Sequence, residues 1–253
     1  MDLSFIASRL AELLPIVDSK TTTQRASRSG SGDYIPCVGT IWEDDFTKEV
    51  ITEWSKRYPS ELPGFSHKWI EVKYPNRRGN CDLCITTQDY EIELGEPKYE
   101  WAIEMKYVRF IGDNGKNNDY GVTKVASPYR KDRSSVLDAE RLSDFTIAKR
   151  KAIIMYGFEF DSASYDHAIS WCDKNSKESE KSKNIERSNN MKKILHTEDP
   201  DLNEMSMLSL IPLFEAASRT RKINLSNCSH YEFDNLIKHP LYRKGRVIAW
   251  EVL

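Results

Sequence analysis

The chain has 253 residues, with 37 Lys plus Arg against 39 Asp plus Glu and a formal net charge of −2; 39% of residues are hydrophobic and 30% charged. This is the make-up of an ordinary soluble globular protein with one sizeable core, and no apolar run approaches membrane-spanning length. The near-neutral balance neither suggests nor excludes nucleic acid, because a local basic cleft can bind phosphate on a neutral protein. Five cysteines are too few for a disulfide scaffold, and Cys81-x-x-Cys84 has no second CxxC to complete a zinc site.

In chain order, MDLSFIASRLAELLPIVDS is acidic at its start and too evenly patterned for a secretory signal, so a cytoplasmic location is expected. Leu3, Ile6, Leu10, Leu13, Leu14 and Val17 form a helical stripe over 3–17, with Pro15 near its end. Residues 21–33 are polar and Gly/Ser-rich, a flexible linker. A second helix is expected over 42–57, with Trp42, Phe46, Val50, Ile51 and Trp54 on one side. Strands follow at 69–74, 81–87 and 101–110, with a short ribbon possible between the last two. Residues 112–121 read as a loop, 134–149 as a helix, 152–160 as a buried strand and 173–193 as a polar insertion or exposed helix. A helix near 204–218 and a last strand, GRVIAWEVL, end the pattern. The order predicts an α/β fold with helices around a mixed central sheet, as a single elaborated domain over 1–253.

Strand side chains alternate between faces. If Leu83 and Ile103 point into a helix-packed core, then Asp82, Glu104 and Lys106 share the opposite face. Taken alone, Glu-x-Lys is common, and on a solvated strand it is a weak ion pair. Here both parts sit in apolar strands, followed by a loop, a helix and a further buried strand. Two hard carboxylates suit Mg²⁺, with Mn²⁺ as a substitute, and the main-chain carbonyl of Met105 offers a further ligand. Lys106 has two possible roles, to position or deprotonate an attacking water or to neutralise charge on a phosphate.

With GNCDLCI and IEMK, the sequence resembles the PD-(D/E)XK nuclease superfamily, with Asp82 as the first acid and Glu104-Met105-Lys106 as E-x-K. The resemblance covers about 40–160 in the order αβββαβ. It departs at residue 81, which is Cys where proline is frequent; the nearest proline is Pro75. The resemblance implies a restriction-endonuclease-like core and a metal-dependent endodeoxyribonuclease of the restriction or defence type. It also implies a further glutamate on the preceding helix, for which Glu43, Glu49 and Glu53 compete; Glu43 is preferred because it opens the run IWEDDFTKEVITEW. A polar residue on the helix after E-x-K is expected too, with Ser134, Ser135, Asp138 and Arg141 in range.

Arg77 and Arg78 before the Asp82 strand, and Lys124, Arg130, Lys131 and Arg133 after E-x-K, are candidate contacts to the DNA backbone. Double-stranded DNA is the expected partner, and a homodimer is one route to a two-strand cut. The alternative is a silent protein of the same fold that binds nucleic acid or a protein partner. His230 and His239 read as structural, and Trp42, Trp54 and Trp69 as packing residues.

Overall fold

The computed structural model describes residues 1–22, 35–75, 78–86, 98–110, 125, 127, 134–159, 206–239 and 242–253. Its centre is a six-stranded mixed sheet flanked by helices. The strands are β1 (Ile70–Lys73), β2 (Asn80–Ile85), β3 (Tyr99–Val108), β4 (Ala148–Phe158), β5 (Ser229–Phe233) and β6 (Gly245–Glu251), in the spatial order β1-β2-β3-β4-β6-β5. Among these described strands only β3 and β4 run parallel, and every other neighbouring pair is antiparallel. A parallel pair needs a crossover, and the helix between these strands, Ser135–Ser143, lies on it.

Helix α1 (Leu3–Lys20) starts at Asp2, whose Oδ1 accepts from Phe5 N at 2.7 Å. It runs past Pro15, beyond the end expected at Val17. Proline removes one helical hydrogen bond, but Val17 and Asp18 in the following turn are buried, and Asp18 Oδ1 accepts from Val38 N at 3.1 Å. Helix α2 (Glu43–Arg57) has three acids in its first turn and Lys56 and Arg57 in its last, matching the helix dipole. It is tied to α1 through Glu61, which accepts from Trp54 Nε1 at 2.7 Å and from Arg9 NH2 at 2.6 Å. Trp42 departs from expectation: it stands outside the first turn as the N-cap and is 39% exposed, so it is no core residue.

Helix α3 (Ser135–Ser143) is shorter than the expected 134–149, because the chain turns at Asp144 and enters β4 at Ala148. Phe145 packs in that turn, edge-on to Tyr74. Helix α4 (Leu210–Thr220) follows a 3-10 turn at Met207–Ser209. Strand β5 was not expected at all. Its burial alternates down to Phe233, but its apolar positions are few and His230 and Glu232 face outward. The expected ribbon after β2, the 112–121 loop and the 173–193 insertion lie outside the described residues, as does most of the 21–33 linker.

Both sheet faces are covered. On β3, Tyr107 stacks on Tyr156 of β4, which stacks on Phe46 of α2 at 3.9 Å, while the neighbouring Lys106 meets Asp138 of α3. Adjacent strand residues point to opposite faces, so α2 and α3 lie on opposite sides of the sheet. This double cover explains why β3 is buried from Tyr99 to Met105 and reads as a nearly continuous apolar run. Among the described residues no helix is long and apolar enough to cross a membrane.

Candidate active site

The β2–β3 register pairs Leu83 with Ile103 and Cys84 with Ala102. One step further along that register, Asp82 stands opposite Glu104, and the two carboxyls lie against each other. The ladder itself gives way here. Asp82 Oδ2 accepts from Met105 N at 2.6 Å, so a side chain takes a β3 amide at the end of the pairing. Glu104 is only 3% exposed, and its Oε1 accepts from the hydroxyl of buried Tyr74.

Lys106 extends on the same face as Glu104. Its Nζ is 2.9 Å from Asp138 Oδ2, at an angle that makes an ion pair rather than a hydrogen bond. Asp138 is 0% exposed, and its other oxygen pairs with Arg141 one helical turn on. From the opposite layer comes Glu43, the first residue of α2, whose Oε1 accepts from Tyr107 N at 2.5 Å. Glu49 and Glu53 do not reach this place: Glu49 accepts from Thr21 Oγ1 at 2.6 Å, and Glu53 pairs with Lys20 and Arg57. Arg78 is exposed in the turn before β2. Arg77, Lys124, Arg130, Lys131 and Arg133 lie outside the described residues.

The electrostatics follow from burial and like charge. Burial, then the Glu104 charge, pushes the Asp82 carboxyl well up from the usual range. Burial, then Cys81, raises Glu104 to about 7, although the Tyr74 hydrogen bond opposes the rise. Burial also raises Glu43, against the pull of Lys106. Burial alone would lower Lys106, but Glu43, Asp82 and Glu104 outweigh it and hold the ammonium above its ordinary value. Burial and the Glu104 charge push the Tyr74 phenol up, so it stays a donor.

Among the described residues, four carboxyls, of Glu43, Asp82, Glu104 and Asp138, therefore share this region with two cations, Lys106 and Arg141. The excess is negative and largely withdrawn from water, a state relieved by protons or by a cation. Among the described residues no three His, Cys, Asp or Glu side chains converge as a ready set of metal ligands. The donor set still fits Mg²⁺, which is commonly held by one or two carboxylates and keeps several waters. Asp82 and Glu104 would hold it.

Two contributors were poorly marked in the sequence. Tyr74 had no signal beyond its place ahead of Pro75. Asp138 was in range without standing out, yet with Ser135, Ala139 and Leu142 it lies on the buried stripe of α3. An acid on an apolar stripe was the available clue. Among the described residues, Cys37, Cys81, Cys84 and Cys228 are free thiols. His239 is buried and stacked on Tyr242, as a structural histidine would be. No family model, curated protein or solved structure matches the chain.

Proposed function

We propose that the chain is a Mg²⁺-dependent deoxyribonuclease that hydrolyses phosphodiester bonds within duplex DNA, as restriction and defence endonucleases do. The observation that carries this reading is the Asp82–Glu104 carboxyl pair, set side by side at the end of a strand ladder with Lys106 on the same face. A surface Glu-x-Lys would have no reason to be withdrawn from water beside a second acid. The element order α2-β1-β2-β3-α3-β4 supports a restriction-endonuclease-like core, since it follows the αβββαβ order of that superfamily.

When bound at Asp82 and Glu104, Mg²⁺ supplies a Lewis acid for the phosphate and lowers the pKa of a coordinated water. The chain's own groups do the rest. Asp138 fixes the Lys106 ammonium, which meets the negative charge that builds on the phosphate during in-line attack. Met105 N–H holds one oxygen of Asp82, and Tyr74 holds one oxygen of Glu104, so neither carboxylate needs to reorganise as substrate arrives. Arg78, exposed in the turn that leads into the Asp82 strand, would contact the DNA backbone without reading bases.

The test is cleavage of supercoiled plasmid in Mg²⁺ or EDTA by the full chain and by Glu104→Gln and Lys106→Ala. Cutting that needs Mg²⁺ and is lost by at least about 100-fold in both folded variants is expected. Tight DNA binding without cutting in any metal would favour the silent-binder reading instead.

A further inference from the structure

Tyr74 is held from three directions. Its backbone N–H donates to Gly79 O at 3.2 Å across the β1–β2 turn. Its ring meets Phe145 edge-on, with centroids 5.0 Å apart, in the turn between α3 and β4. Its hydroxyl donates to Glu104 Oε1 on β3. The side chain is 2% exposed, so water does not compete for that hydroxyl. A phenol fixed at backbone, ring and oxygen cannot follow the carboxylate if it swings. The carboxylate must follow the phenol.

That constraint divides the two oxygens of Glu104. Oε1 accepts from Tyr74, and the carboxyl also meets that of Asp82. A glutamate on a strand has three side-chain torsions, and without an anchor it could turn both oxygens to a cation or neither. We propose that Tyr74 is a positioning residue of this centre, whose hydroxyl pins Glu104 Oε1 and so fixes how the carboxylate is offered, beside Asp82, to a divalent cation. The inference rests on the reading of Asp82 and Glu104 as metal ligands. Partners that orient a ligand typically contribute about 10–100-fold to metal affinity.

The experiment is calorimetric titration of Mn²⁺ into the full-length wild type, Tyr74→Phe and Phe145→Leu, with melting curves for each. Tyr74→Phe removes one oxygen and keeps the ring, whereas Phe145→Leu disturbs the ring packing and keeps the hydroxyl. The expected result is a Mn²⁺ Kd raised about 10–100-fold in Tyr74→Phe and within about threefold of wild type in Phe145→Leu. In DNA cleavage, Tyr74→Phe lowers kcat and leaves KM unchanged. A Tyr74→Phe affinity equal to wild type overturns the inference and leaves the metal reading standing. Losses in both variants that track their lowered Tm also overturn it, because packing then explains the effect. A wild type that takes up no Mn²⁺ overturns the metal reading and this inference together.

Discussion

At the residue scale the site is a problem in charge. Burial raises both Asp82 and Glu104, with the Glu104 charge next at Asp82 and Cys81 next at Glu104, so without a cation they are relieved by protons. Glu104 moves from 4.5 to about 7, which means the folded protein keeps a proton that the unfolded chain has already lost across that window. Through Glu104 the folded protein thus binds more protons than the unfolded chain, and this group's contribution to stability falls as pH rises from about 4.5 to about 7, then levels off. For Glu104 alone the loss is on the order of 3 kcal/mol. On the proposed reading, Mg²⁺ would bind the ionised carboxylates and should recover much of this loss above pH 7. Urea unfolding at pH 5 and pH 7.5, with and without Mg²⁺, measures the effect; equal stability at both pH values in EDTA would contradict it.

The same scale shows what single residues disclosed. Asp82, Glu104 and Lys106 were legible because strand alternation is strict, and a two-residue period leaves little freedom once the apolar partners are chosen. Glu43 was legible from its place at the opening of its helix. Tyr74 was not, because its role is defined by a hydroxyl reaching across two strands, and no local pattern encodes that. Asp138 stood between these cases.

At the element scale the site depends on how β3 and β4 are held together. Gly157 pairs with Val108 at the end of that parallel ladder, two residues beyond Lys106. A Cβ at Gly157 would come to 2.3 Å from Val108 O and 2.8 Å from Met207 Sδ. The sulfur can move, but the backbone carbonyl cannot without parting the strands. Gly157→Ala should therefore destabilise the protein by about 1–3 kcal/mol. It should also weaken the Lys106–Asp138 contact and slow DNA cleavage. A urea midpoint unchanged from wild type would show that the ladder end gives way freely.

Elements were legible where the period was long and clean, as in α1, α2 and β4. Boundaries slipped where two signals met. The apolar residues Phe145 and Ile147 extended the expected α3, although they belong to the turn and approach of β4. Trp42 looked like the first rung of the α2 stripe and is instead its exposed cap. Strand β5 escaped because SHYEF has too few apolar positions to mark its period, and its pairing with β6 makes it a strand.

At the scale of the whole molecule, a six-stranded sheet covered on both faces carries its acidic centre at the point where β2 and β3 stop pairing. The net charge of −2 is no obstacle to a DNA-directed role, since local charge decides phosphate binding. Apart from β5, the strands and the flanking helices could be read from the order of apolar segments. The site's depth could not, because burial of the carboxyls depends on α2 and α3 closing from opposite sides. The most direct measurement is anomalous diffraction from crystals of the full chain grown with Mn²⁺. A peak at bonding distance from both Asp82 and Glu104, absent in Glu104→Gln, is the result predicted here. Mn²⁺ bound elsewhere, or no peak at this pair under conditions that support DNA cleavage, would contradict the assignment of the metal centre.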